Sequence, residues 1–146
     1  MNNENYITQQ PLDPNRLIDE TQDDGSGALI IFVGTVRNTN QGKPVDGMTY
    51  EAHIPLAVQA LLDLETETKQ TFAISQCRVQ HRIGSLKLGE ASVVIVVRAP
   101  HRDDAYQASR YMIDELKKRV PIWKEEHYLD GDSRYLDGLP LQGTDL

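Results

Sequence analysis

The chain is poor in cysteine, tryptophan and phenylalanine, with one, one and two among 146 residues. A lone Cys77 excludes an internal disulfide, so a reducing cytoplasm is the expected compartment. No apolar run approaches the roughly 20 residues needed to cross a bilayer. The opening MNNENYITQQ lacks the basic start and apolar stretch of a secretory signal, so no membrane role is expected. There is no GxGxxG, no GxSxG and no GK[ST] ending after the glycine of Gly84-Ser85-Leu86-Lys87-Leu88-Gly89. His53, His81, His101 and His127 show no HxH or HExxH spacing, so no metal site is expected. A basic excess is also missing. There are 15 basic residues against 22 acidic ones, for a net charge of −7. Nucleic-acid binding is therefore disfavoured.

The acidity is unevenly placed. Residues 1–26 carry six acids and one base, and residues 130–146 carry four acids and one base. The stretch between them is nearly balanced and leaves room for a local basic pocket. Apolar content of 39% with 25% charge is globular composition. No repeat or linker divides the chain, so a single domain over residues 1–146 is expected. Residues 1–26 form its acidic N-terminal segment and 137–146 a flexible tail.

Periodicity supplies the elements. Tyr6 to Gln9 predicts a short strand and Asp13 to Glu20 a polar helix. The run ALIIFV at 28–33 predicts a strand buried on both faces. Val45 to Ala52 predicts a second strand, forming a hairpin with the first across the polar turn Asn38 to Gly42. Pro55 opens a helix whose Ala57, Leu61, Leu64, Thr68 and Phe72 share one face. Ile74 to Ile83 predicts a strand, and Gly84 to Glu90 a turn. Ser92 to Ala99 (SVVIVVRA) predicts the most apolar strand, stopped by Pro100. A helix capped by Asp103 or Asp104 then runs to about Arg119, with Ala105, Ala108, Met112, Leu116 and Val120 inward, and Pro121 ends it. Ile122 to Tyr128 is extended, with a short strand at Arg134 to Leu136. The mixture of hairpins and helical crossovers predicts an α+β fold with mostly antiparallel strands and two main helices.

Three segments offer chemistry. Gly34-Thr35-Val36-Arg37-Asn38 follows a strand end, where Arg37 presents a planar fork to a phosphate or carboxylate. The bland alternative is an arginine on a solvent-exposed hairpin. Pro100-His101-Arg102-Asp103-Asp104 lies where a strand hands over to a helix, whose free N–H groups attract anions. The alternative there is helix capping beside a surface arginine. Lys117-Lys118-Arg119 sits at a helix C-terminus, where basic residues commonly answer the dipole. Lys117, however, lies one turn beyond Ile113 at the edge of the apolar stripe, where partial burial favours a nucleophile or proton carrier. Lys124 follows Trp123 in an extended stretch, so their side chains face opposite ways. Cys77, with no histidine beside it in sequence, reads as packing.

Together these segments resemble the large, catalytic subunit of molybdopterin synthase. The matching stretches are GTVRN at 34–38, YEAH at 50–53, HRIGSLKLGE at 81–90, HRDDAYQA at 101–108 and LKKRVPIWKEE at 116–126. They occur in the family's order and spacing over roughly residues 27–131. The family commonly has phenylalanine where Tyr106 stands and tryptophan where Tyr135 stands.

The resemblance implies an α/β-hammerhead fold and a cytoplasmic sulfur transferase of molybdenum-cofactor biosynthesis. It implies conversion of cyclic pyranopterin monophosphate (precursor Z) to molybdopterin. The sulfur comes from a thiocarboxylate on the C-terminal Gly-Gly tail of a small ubiquitin-like partner. It further implies a homodimer of this chain within a heterotetramer, and no metal or resident cofactor. Carried over by motif, Lys117 is the catalytic lysine, as acid/base or in a transient covalent adduct, and Lys124 the second functional lysine. Arg37, His101 and Arg102 hold phosphate or pterin. Thr35, Val36, Glu125 and Glu126 line the same pocket, with some contacts crossing the dimer. Two other classes fit the same residues: a non-catalytic scaffold for a ubiquitin-like partner, and a sensor of a phosphate ligand.

Overall fold

The computed structural model describes residues 3–129 and a strand at 133–136. The expected tail at 137–146 lies outside the described residues. Among the described residues, nine strands and three α-helices follow a short 3-10 turn at Asn3–Asn5. They are β1 (Ile7–Thr8), α1 (Pro14–Glu20), β2 (Ala28–Thr35), β3 (Thr39–Asn40), β4 (Lys43–Ala52) and α2 (Ile54–Thr71). Then come β5 (Gln76–Arg82), β6 (Gly84–Lys87), β7 (Ala91–Ala99), α3 (Arg102–Arg119), β8 (Ile122–Tyr128) and β9 (Ser133–Leu136). The α+β class holds, with antiparallel pairing everywhere except β1 on β5.

The strands form two sheets. The first has the order β1-β5-β7-β2, and the second β3-β4-β8-β9 with β6 also on β4. The chain crosses from the first sheet to the second at Gly84, directly after β5. β7 is apolar from Val93 to Val97, where both of its faces are covered. Val93, Ile95 and Val97 enter the main core with α2 and α3, while Val94 and Val96 pack under Leu17 of α1. All five are fully buried, each such side chain contributing roughly 1.5–3 kcal/mol.

Three sequence expectations are corrected. First, the strand at 28–33 makes no hairpin with the strand at 45–52. β2 pairs with β7, Ile30 opposite Val97, while β4 pairs with β6 and β8. The pairing is decided by the central strand 56 or more residues away, which local turn signals do not encode. Second, β2 is not buried on both faces. It is an edge strand, and Leu29, Ile31 and Val33 remain 36%, 40% and 37% exposed because α1 covers β7 and stops short of them. Third, Gly84 to Glu90 is not only a turn, since Gly84–Lys87 is β6, with Leu86 buried opposite Met48.

The acidic N-terminal segment docks onto this frame. Buried Glu65 of α2 accepts hydrogen bonds from the Tyr6 hydroxyl and the Val79 N–H, both at 2.9 Å. Arg78 lies 3.8 Å from the same carboxylate and stacks over the Tyr6 ring. Burial raises the Glu65 carboxyl despite Arg78, and pushes the Cys77 thiol up to about 12. Cys77 is thus a packing residue, its thiol directed at the Glu65 carbonyl.

Candidate active site

β8 alternates strictly. Lys124, Glu126 and Tyr128 point inward, and Trp123, Glu125 and His127 outward. The expectation that Trp123 and Lys124 oppose one another holds, and Lys124 is the inward one. Its side chain is 2% exposed and that of Glu126 0%. The Lys124 ammonium lies 3.3 Å from Glu126 Oε1. On the other carboxylate oxygen, Oε2, the Tyr128 hydroxyl donates at 2.5 Å and the Asn40 amide at 2.6 Å. A buried charge is tolerable only when paired and hydrogen-bonded in this way. Across the ladder Tyr50 of β4 stands opposite Lys124. Burial drives its phenol up to about 12, with the Ser92 hydroxyl pulling it back and the Glu126 charge adding to the rise. Behind it lies His81, fully buried, its ring 4.9 Å from that of Tyr50.

α3 sorts the remaining cations. It follows β7 and packs on both β7 and β2, so it runs back along the sheet, antiparallel to β7. Its start therefore lies near Ala28 and Ala99, which pair with each other, and its end near Thr35 and Ala91, which pair as well. Lys117 is half-buried in its last turn. Tyr106, Arg110 and Ile113 line a groove of about 530 Å³ against Ile30, Ile31 and Phe32 of β2. Spacings of four, three and four place Lys117 next in that row. The opposite flank faces α2, where Arg119 pairs with Glu67 and Tyr111 packs edge-on against Phe72. Lys118 is ion-paired to Glu115 at 3.5 Å, so it and Arg119 have the ordinary surface role of helix-end bases.

Thr35, Val36 and Arg37 leave β2 at the end of the sheet where α3 finishes. Val36 is buried and tied by its backbone to Gly89 and Glu90, while Thr35 and Arg37 are exposed. Lys117 and the segment 35–37 thus share one end of the sheet. Asn40, three residues beyond Arg37, ties the same stretch to Glu126. His101 and Arg102 do not join them. They stand exposed at the start of α3, and at 1.5 Å per residue Arg102 is about 22 Å from Lys117 along the axis. His101, not Asp103 or Asp104, occupies the N-cap, and it makes no side-chain capping bond. Glu125 points away from Lys124, within 4.0 Å of His127. Among the described residues no group of three or more acidic, histidine or cysteine side chains is placed to hold a metal ion. No described helix is long and apolar enough to cross a membrane.

This fold has known counterparts. The family model for the MoaE protein matches residues 7–119. The chain belongs to the MoaE family. It is 40% identical to the molybdopterin synthase catalytic subunit of Bacillus subtilis (strain 168), over 86% of this chain and 80% of that one. It is 47% identical to the same subunit of Synechococcus elongatus, over 80% and 71%. The crystal structure of molybdopterin synthase from Staphylococcus aureus superposes with a TM-score of 0.86 at 33% identity, covering 94% of this chain and 98% of that one. The chain is accordingly a molybdopterin synthase catalytic subunit, an enzyme of molybdenum-cofactor biosynthesis. The region matched by the MoaE model includes Arg37, His101, Arg102 and Lys117 and stops before β8, which carries Lys124 and Glu126. Sequence reasoning missed Asn40, Tyr50 and Tyr128 around that pair. The only local signal was the Asn40-Gln41-Gly42 turn, which fixes a hairpin without revealing what its flank touches.

Proposed function

We propose that this MoaE-family chain transfers sulfur to cyclic pyranopterin monophosphate and so forms the dithiolene of molybdopterin. The donor is a small ubiquitin-like subunit bearing a C-terminal Gly-Gly thiocarboxylate. Each transfer exchanges an oxygen function of the pterin for sulfur, and the donor tail leaves as a carboxylate. Such exchange needs proton delivery and stabilised anions more than it needs a thiol of this chain. That agrees with a Cys77 thiol buried in the core. Lys117 moves protons or forms a transient adduct with the substrate. Lys124 holds a fixed positive charge toward the donated sulfur, and Arg37 with His101 and Arg102 binds the phosphate and pterin.

The observation that carries this reading is the inward Lys124 ammonium, paired to a buried Glu126 whose carboxylate is tied by Asn40 to the stretch that follows Arg37. The separation of Arg102 from Lys117 adds a second element. A pocket using both ends of α3 draws them from two copies of the chain. The edge strand β2, with Leu29, Ile31 and Val33 exposed, offers an apolar surface of the kind that supports self-association. The working unit is then a homodimer with one small subunit at each end, acting in the cytoplasm.

Single-turnover assay with thiocarboxylated partner and cyclic pyranopterin monophosphate tests the proposal. Dithiolene product is expected. Tight partner binding without product would instead make the chain a scaffold, and phosphate-ligand binding without partner binding a sensor.

A further inference from the structure

The two oxygens of the Glu126 carboxylate have separate partners. Oε2 takes two neutral donors, the Asn40 amide and the Tyr128 hydroxyl, while Oε1 faces the Lys124 ammonium at 3.3 Å. The donors come from different elements. Tyr128 ends β8, on the same face as Glu126 and Lys124. Asn40 comes from β3, which turns into β4 through Gln41 and Gly42, both at positive φ (51° and 79°). Two such residues form the tight hairpin loop whose twist suits antiparallel strands. Lys43 pairs with Asn40 across that loop and sets its ammonium 5.3 Å from the centre of the Tyr128 ring. The hairpin therefore carries one donor and places a cation over the ring of the other.

We propose that Asn40 and Tyr128 are positioning residues for Lys124, acting through Glu126. With Oε2 fixed from two sides, the carboxylate is held in one orientation, and the charge on Oε1, an ion-pair partner rather than a hydrogen-bond acceptor among the described residues, stays 3.3 Å from the ammonium. The inference rests on the functional role proposed for Lys124. It adds a specific geometry: an amine that must meet a donated sulfur is aimed by a turn more than 80 residues upstream. A single donor would leave the carboxylate a rotational freedom that a buried ion pair transmits to its partner.

Tyr128→Phe tests this with little change of volume and leaves the ring to Lys43. In the full chain with its thiocarboxylated partner, kcat should fall about tenfold or more, as for a misaimed catalytic group. KM for the pterin should stay within about twofold, because ground-state binding is untouched. In a Glu126→Gln background the same substitution should cause no further loss, since its route to Lys124 is already broken. An equal loss in both backgrounds would mark Tyr128 as merely structural and overturn the proposal. A second readout is independent of turnover. With 15N-labelled lysine, the Lys124 side-chain resonance should shift or broaden in both Tyr128→Phe and Asn40→Ser. An unmoved resonance in both variants sinks the clamp alone. Wild-type turnover by Lys124→Met, with the resonances moved as expected, sinks the role of Lys124 and with it any catalytic meaning of the clamp.

Discussion

Lys117 and His81 show how differently one side chain can matter. Lys117 is half-buried at the end of α3, beside the core without filling it. Lys117→Ala should therefore abolish conversion and leave stability within about 1 kcal/mol of the parent, as for substitutions outside a core. Turnover with thermal melting checks both halves, and normal turnover would remove Lys117 from the mechanism. His81 is the opposite case. Its Nδ1 is 2.7 Å from the Arg82 carbonyl, and its Nε2 has no hydrogen-bond partner among the described residues. Burial depresses the imidazole to about 4, against the ordinary 6.5. Between those pH values the unfolded chain binds a proton that the folded chain refuses. Stability must fall as pH drops through that window, by about 3 kcal/mol from this group. Glu65 works in the opposite sense, because its raised pKa lets the folded state take up a proton first. The His81 part is isolated by comparing urea unfolding of the parent and His81→Phe from pH 7 to pH 4. The variant should lose less stability on acidification, and parallel curves would clear His81.

At the scale of elements, local periodicity carried most of the reading. The helix opened by Pro55 and the one ending at Arg119 stand where their apolar spacing put them, and Ile122 to Tyr128 is a strand with the expected alternation. The strand partners were not legible, because β2 finds β7 through the core rather than through a turn. β6 escaped notice because four residues between glycines carry too little pattern. The candidate site was readable only as isolated residues. Lys117, Lys124 and Arg37 came from motif resemblance, whereas the hold of Asn40 and Tyr128 on Glu126 exists only after β3 and β8 meet. The β4–β6 contact can be probed directly. A Cβ on Gly47 would stand 2.9 Å from the Leu86 carbonyl oxygen, so Gly47→Ala must push β6 away from β4. A loss of roughly 1–3 kcal/mol is expected, as for overpacked sites. An unchanged urea midpoint would show that β6 yields without cost.

For the whole molecule, the arrangement along α3 makes a dimer testable by mixing. Arg102→Ala and Lys117→Ala should each be inactive alone if one pocket takes Arg102 from one copy and Lys117 from the other. Co-refolded in equal amounts, half of the dimers are mixed, and in each of these one of the two pockets is intact. Roughly a quarter of the parental turnover should return, by the statistics of a two-fold assembly. No recovery would place both residues in the same copy's pocket or outside it.

α3 also works as a ruler. A residue inserted or deleted within it would swing everything downstream by about 100° around the axis and 1.5 Å along it. Lys117 would then leave the row above β2, and Arg119 would lose Glu67. This helix tolerates revision only in whole turns, and even a whole turn would alter the span between its two charged ends.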